Sequence, residues 1–168
     1  FNTGIFSGEG SILYTLGILY EIYDDIKYKE YFDKWLNCME TLILEDRLFD
    51  MISGNSGIVL VLINMYRKTK KPIYLQKAIQ IAEQLIENMI TENGKVGWKS
   101  EVVPEVLAGF AHGNSGFIEL FSRLYEVYPQ TKYLDILSSL VEYENSLYSE
   151  KDNNWIDLRK FSEVDQHK

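Results

Sequence analysis

The sequence contains three copies of one glycine-rich segment of ten residues, and the copies align with one another without gaps. They span residues 4–13, 50–59 and 109–118, so they begin 46 and 59 residues apart. Each copy leads into a segment whose apolar residues recur at the i, i+3, i+4 spacing of a helix, and a more amphipathic helical pattern follows it. A repeat of this length accommodates two helices and their turns.

The repeats predict six helices arranged as three hairpins, in which the helix after each glycine turn is more buried than its partner. Stacked hairpins form either an open solenoid or a closed double ring, an α/α toroid. We therefore predict an all-α fold in which residues 1–168 belong to a single domain. Thr91 to Val103 is the exception: Asn93-Gly94 is a turn signal, so a loop or small hairpin is expected there.

Composition excludes several classes of protein. Hydrophobic residues make up 46% of the 168 residues, which excludes an intrinsically disordered chain. The net charge is -8 without a basic run, so no nucleic-acid partner is expected. No apolar run approaches the roughly 18 residues that span a membrane. The lone cysteine, Cys38, cannot form an internal disulfide, which is typical of a cytoplasmic protein. Since the chain begins in mid-pattern without Met, we expect it to be a fragment of a longer protein.

The glycine turns have two explanations. Glycine allows another backbone or a ligand to approach closely, so the turns serve either tight helix packing or a binding site. In the second case, three helix N-termini would direct free N–H groups to one space where negative charge develops. Ser56 and Ser115 are candidates to cap two of these helices.

Two polar residues break the repeat. Asp50 stands where the other two copies have glycine, and His112 stands where they have serine. An imidazole can move protons near neutral pH, and a carboxylate can orient the imidazole or act as a base. The alternative is that His112 is a hydrogen-bonded core histidine and that Asp50 caps a helix.

The residues around these positions resemble a known family. Residues 108–116, Ala-Gly-Phe-Ala-His-Gly-Asn-Ser-Gly, are similar to the Gly-Phe-x-His-Gly signature of LanC-like lanthionine cyclases, and residues 50–57 are similar to their aspartate-bearing repeat. Tyr143-Glu144 and the stretch from Asn154 to Arg159 resemble the cyclase domain of class II (LanM) lanthipeptide synthetases, with isoleucine in place of a proline. Residues 4–10 resemble that domain's first glycine turn, so the resemblance covers nearly the whole chain.

The resemblance implies a toroid of seven hairpins, of which residues 1–168 form a partial cyclase domain, the N-terminal portion with about three. It also implies a reaction in which a cysteine of a dehydrated precursor peptide adds to dehydroalanine or dehydrobutyrine and closes a (methyl)lanthionine thioether ring. His112 matches the family's active-site histidine, to which protonation of the enolate is assigned. Asp50 matches the active-site aspartate, which assists thiol deprotonation or orients the site.

The resemblance further implies a zinc ion in the complete domain, which activates the thiol. Two cysteines and a histidine bind it in later motifs, and this sequence lacks those motifs. Cys38 and His167 match neither motif, and Cys38 is expected to be a small core residue in mid-helix. Arg159 does not correspond to the family's catalytic arginine and is expected to pair with a carboxylate and fix its loop. This segment alone is therefore expected to bind no catalytic zinc and to be inactive.

Two other functions are consistent with the sequence. A different toroid enzyme, such as a sugar epimerase or glycoside hydrolase, would use carboxylates or histidines in a bowl lined with aromatic residues, and the chain has 12 Tyr and 3 Trp. A non-catalytic helical-repeat module would bind a peptide, with Asp50 and His112 vestigial. We also expect the end hairpins to expose apolar helix faces that favour self-association.

Overall fold

The computed structural model describes residues 2–99 and 103–159, and helices dominate this part of the chain. The helices are α1 (Gly10–Tyr23), α2 (Ile26–Cys38), α3 (Glu40–Glu45), α4 (Ser56–Thr69), α5 (Pro72–Glu87), α6 (Asn114–Val127) and α7 (Thr131–Ser146). Two antiparallel pairs are formed by β1 (Ile90–Glu92) with β2 (Lys95–Gly97) and by β3 (Tyr148–Ser149) with β4 (Asn154–Trp155). The predicted all-α class is confirmed. None of the helices in the described ranges is long and apolar enough to cross a membrane.

The helices form the three predicted hairpins. Helix α1 packs against α2, α4 against α5, and α6 against α7, while the first helices lie side by side in the order α1, α4, α6. The short helix α3 was not predicted. It follows α2 directly, because Met39 is the cap residue of both helices. The Met39 N–H donates to Trp35 O at the end of α2, and the Met39 carbonyl accepts the Ile43 N–H of α3 at 2.9 Å.

Helix α4 is the central helix of this arrangement. Its buried residues are Ser56, Gly57, Ile58, Val59, Val61, Leu62, Ile63 and Met65. Helix α1, in contrast, buries Gly10 and Leu13 and leaves Ile22 66% exposed. The prediction that the helix after each glycine turn is the more buried one is therefore wrong for the first hairpin. Among the described helices, α4 has packing partners on both sides, whereas α1 packs mainly against α2 and α4.

The segment after α5 folds back into the core. Asn93 and Gly94 have φ values of 54° and 75°, as a tight two-residue hairpin turn requires, so the predicted small hairpin is confirmed. Beyond β2, the buried Trp98 stacks on Phe117 with ring centroids 3.9 Å apart. Its Nε1–H donates to Leu85 O at 2.8 Å. Trp98 thus joins α5 to α6, which the sequence pattern did not indicate.

Two equivalent asparagines attach the segments that precede α4 and α6. Asn55 and Asn114 occupy the same position in the second and third glycine segments, and both are fully buried. The Asn55 Nδ2–H donates to Ile43 O in α3 at 3.4 Å. The Asn114 Nδ2–H donates to Val96 O in β2 at 2.7 Å. The same amide therefore binds a helix in one repeat and a strand in the next.

Cys38 is exposed and is the last residue of α2, so the prediction of a core position in mid-helix is wrong. The buried stripe of α2 runs through Phe32 and Leu36 and continues to Met39. At 3.6 residues per turn, a residue two positions after Leu36 lies on nearly the opposite side of the helix. The spacing of the apolar residues therefore explains why the thiol faces outward.

The central position of α4 leads to a stability prediction. Leu62 is 0% exposed, so Leu62→Ala removes buried methyl groups and leaves a cavity. We expect it to lower the free energy of unfolding by about 2–5 kcal/mol, measured by urea denaturation. Ile22→Ala on the exposed face of α1 is the control and should change that free energy by about 0.5 kcal/mol or less. An equal loss at both positions would contradict the described packing.

Candidate functional site

The three glycine turns lie next to one another at one end of the hairpins. The Phe6 N–H donates to Ile52 O at 3.4 Å and joins the first turn to the second, and the Met51 N–H donates to Ala111 O at 3.2 Å and joins the second to the third. A Cβ atom on Gly4 would lie 2.0 Å from Ile52 O, so a larger residue cannot be accommodated without a shift of the backbone. Tight packing therefore explains the glycine at this junction.

The second and third turns bring Asp50 and His112 together, although 62 residues separate them in sequence. His112 Nδ1 lies 2.7 Å from Asp50 Oδ2. Asp50 Oδ1 accepts the N–H groups of Ile52 at 3.0 Å and Ser53 at 2.7 Å, so both carboxylate oxygens are engaged. The Asp50 side chain is 4% exposed and the His112 side chain 28%. Asp50 therefore lies behind an imidazole that solvent and ligands can reach.

This geometry describes an imidazole held by a carboxylate. When Nδ1 carries the proton that points to Asp50, Nε2 is the nitrogen left for a ligand, and it has no hydrogen-bond partner among residues 2–99 and 103–159. Such a pair can move a proton at Nε2 while the carboxylate compensates the charge of the imidazolium. A wholly buried core histidine does not describe His112, since more than a quarter of its side chain is exposed.

The serines that were predicted to cap α4 and α6 do not cap them. Ser56 is the first residue of α4, and its hydroxyl donates to Phe49 O. The Ser115 hydroxyl donates to Glu144 Oε1. Neither helix has a side-chain hydrogen bond at its N-cap. The serines instead bind the preceding turn in one repeat and helix α7 in the other.

Glu144 of α7 contacts the third turn directly. Its Oε1 accepts the Gly109 N–H at 2.9 Å in addition to the Ser115 hydroxyl. The Glu144 side chain is 7% exposed, and its Oε2 has no hydrogen-bond partner within the described part of the chain. In the sequence, Glu144 stands out only as part of the Tyr143-Glu144 stretch that resembles the family. A signal for it exists, because Glu144 continues the buried stripe of Ile136 and Leu140 at a spacing of four residues, where an unpaired carboxylate is rare.

A pocket of about 480 Å³ opens beside the third turn. Its lining consists of residues 107–112, Ser115, Glu144 and residues 154–159. Phe110 and Trp155 expose aromatic surface there, and His112 contributes an imidazole to the lining. The volume lies in the range of pockets that hold small ligands or a short piece of a larger one.

Arg159 forms a two-point contact with Asp157 at the same pocket. Its Nε donates to Asp157 Oδ1 at 2.9 Å and its Nη2 donates to Oδ2 at 2.6 Å. The hydrogen bonds from the guanidinium lower the pKa of Asp157 to about 2. The predicted pairing of Arg159 with a carboxylate is confirmed. Only one residue separates the two partners, so this contact is local to the segment that follows β4 and lines the pocket.

The described residues do not fit a zinc site of two thiolates and an imidazole. Cys38 is the single cysteine of the sequence and lies exposed on α2. In the ranges 2–99 and 103–159, no three His, Cys, Asp or Glu side chains come together as a metal-binding group. His167 lies outside the described residues. No step of the chemistry is therefore derived through a metal.

Comparison with known proteins identifies the family. The sequence matches the family described as lanthionine synthetase C-like protein over residues 2–168, and the chain belongs to this family. The predicted family and the α/α toroid class are thereby confirmed. The chain is also 29% identical over 148 residues to a Lactococcus lactis subsp. lactis protein, the lacticin 481/lactococcin biosynthesis protein LcnDR2. The match covers 80% of this chain and 14% of that relative, so the chain spans about one seventh of the relative's length.

The contacts of Asp50 predict how two substitutions differ. Asp50→Ala removes the acceptor of the Ile52 and Ser53 N–H groups, and it should lower the free energy of unfolding by about 1–3 kcal/mol. Asp50→Asn retains an amide oxygen for these groups, so its effect should be smaller. Thermal unfolding of both variants measures the difference. An Asn variant as destabilised as the Ala variant would contradict the assignment of these bonds.

Proposed function

We propose that the chain is part of a lanthipeptide cyclase, which joins a cysteine thiol of a dehydrated precursor peptide to dehydroalanine or dehydrobutyrine in a thioether ring. The observation that carries the proposal is the 2.7 Å contact between His112 and Asp50 beside an open pocket in a LanC-like chain. The name of the lacticin 481/lactococcin relative supports a lantibiotic precursor as the peptide.

The reaction requires one proton donor at a defined place. As the thiolate sulfur forms its bond to Cβ of the dehydro residue, the carbon–carbon π bond breaks and its electrons move into an enolate. A proton must then reach Cα, and we assign its delivery to the Nε2–H of the His112 imidazolium. Since the thiol loses one proton and Cα gains one, the addition consumes no proton overall.

We assign to Asp50 the role of orienting His112, which is the second of the two roles that the family resemblance offers. Its Oδ1 is engaged by two backbone N–H groups and its Oδ2 by His112 Nδ1. A substrate thiol would have to displace the imidazole to reach a side chain that is 4% exposed. The buried carboxylate therefore suits stabilisation of the imidazolium better than direct deprotonation of the thiol.

The pocket suits a peptide that presents both apolar and polar groups. Phe110 and Trp155 offer exposed aromatic surface beside the backbone of the third turn. A second candidate function is peptide binding without catalysis, for which the exposed aromatic surface of the pocket is also suited. The family match gives no support to a sugar-acting toroid enzyme. Self-association through the exposed apolar face of α1 also stays a proposal.

Replacement of His112 tests the proposed function. In the complete synthetase, His112→Ala should slow ring closure about 100-fold or more, because the enolate loses its proton donor. Mass spectrometry after thiol alkylation counts the uncyclised cysteines of the dehydrated peptide. Binding of the peptide should persist in the variant. Unchanged ring formation would remove His112 from catalysis, whereas a complete wild-type protein that binds the dehydrated peptide but closes no rings would favour the binding-module function.

The zinc ion is proposed to be bound by residues other than those described, and to supply thiol activation when bound. We expect the purified 168-residue chain to retain no stoichiometric zinc after dialysis and to close no rings. Elemental analysis by mass spectrometry measures the zinc, with the complete synthetase as the positive control. One zinc per chain, held by residues of this segment, would overturn this part of the proposal.

A further inference from the structure

We propose that Glu144 is a positioning residue, which fixes the third glycine turn and thereby aims His112 at the substrate. The inference rests on the proposed function of His112. It assigns to helix α7, which lies outside the glycine repeat, a part in the reaction. The observation behind it is a buried carboxylate that binds the turn on both sides of the histidine.

The contacts of α7 surround His112 in sequence. Glu144 Oε1 accepts the Gly109 N–H at 2.9 Å, three residues before the histidine, and the Ser115 hydroxyl, three residues after it. The preceding residue of α7 contacts the same segment, since the Tyr143 hydroxyl donates to Val106 O at 3.2 Å. The C-terminal part of α7 therefore contacts the third turn and its flanks at Val106, Gly109 and Ser115.

The third turn needs such an anchor because its backbone is unusual. Gly109 has a φ of 97°, in the region that favours glycine, and a Cβ atom on it would meet nothing within 4 Å. Packing on the Cβ side therefore does not confine Gly109, whereas its N–H group is held by Glu144. A shift of about 1 Å at His112 would stretch its Nδ1 contact to Asp50 beyond hydrogen-bond length.

Filling of the core alone does not account for a carboxylate at this position. Glu144 Oε2 is buried and lacks a partner among the described residues, and such atoms are rare because burial without a hydrogen bond is unfavourable. A leucine would continue the buried stripe of Ile136 and Leu140 without this cost. The carboxylate is instead suited to what Oε1 does, which is to accept two hydrogen bonds from the turn.

The test compares three variants of the complete synthetase. Glu144→Leu removes the acceptor and should lower kcat for ring closure about 100-fold, with KM for the dehydrated peptide changed less than about 3-fold. Glu144→Gln keeps an oxygen for Gly109 and Ser115 and should retain at least about a third of kcat. Glu142→Leu, two residues away on the exposed side of α7, is the matched control and should behave as wild type.

A double variant with His112→Ala distinguishes a positioning role of Glu144 from a general loss of structure. If Glu144 acts through the histidine, Glu144→Leu should cause no further loss of rate when combined with His112→Ala. A loss of the same size in both backgrounds, or a change in KM alone, would overturn the inference. If Glu144→Leu does not fold, Glu144→Gln and Ser115→Ala replace it, and the serine variant should lower kcat by an intermediate factor.

Hydrogen exchange keeps this test independent of activity. In Glu144→Leu, the Gly109 amide should exchange about 10- to 100-fold faster than in wild type, because its charge-assisted acceptor is gone. Residues 60–65, whose amides lie inside helix α4, should exchange at the wild-type rate. A wild-type protein that closes no rings would end the proposed function, whereas the exchange would still decide whether Glu144 fixes the turn. Unchanged exchange at Gly109 would refute the inference.

Discussion

The backbone contact between neighbouring glycine turns is the interaction on which the site depends. The Met51 N–H bond to Ala111 O holds the second and third turns together, and the side chains that these turns carry are thereby brought close to one another. Asp50 and His112 belong to different hairpins, so no local segment could bring them together. The glycines allow the turns to approach, because a side chain at Gly4 would collide with the second turn and a Cβ atom at Gly116 would lie 2.7 Å from Met51 Cγ. The geometry of the Asp50–His112 pair is therefore a consequence of how the turns pack.

Two carboxylates of the site bind backbone rather than solvent. Asp50 accepts two N–H groups of its own turn and then contacts the imidazole. Glu144 accepts an N–H group of the third turn from the opposite side. Each carboxylate therefore fixes a turn through its backbone, and the partly exposed His112 lies on the turn that Glu144 contacts. The proposed role of His112 as proton donor requires this arrangement, in which the imidazole is reachable while both carboxylates are buried.

The repeats alone predicted the three hairpins, and the departures from the repeat pointed to Asp50 and His112. The hairpins were predictable because packing constrains equivalent positions of a repeat to similar residues. The functional roles of Asp50 and His112 stay predictions, and the structure brings the two side chains into contact. The sequence could not predict the contact distance, the exposure of α1 or the role of Trp98, since these depend on which hairpins lie side by side. Cys38 was misplaced although the spacing of the apolar residues already directs it outward, since it lies two positions after the buried Leu36. Glu144 was missed because it lies outside the glycine repeat.

The paired asparagines explain how the spacers between turns can differ so much. Asn55 binds a carbonyl of a helix and Asn114 binds a carbonyl of a strand, with the same amide at the same position. A spacer therefore has to present only one correctly placed carbonyl, whatever its length or secondary structure. Insertions can therefore be accommodated between hairpins without disturbing the contacts between neighbouring turns. The architecture thus separates the parts of the chain that are free to diversify from those that hold Asp50 and His112 together.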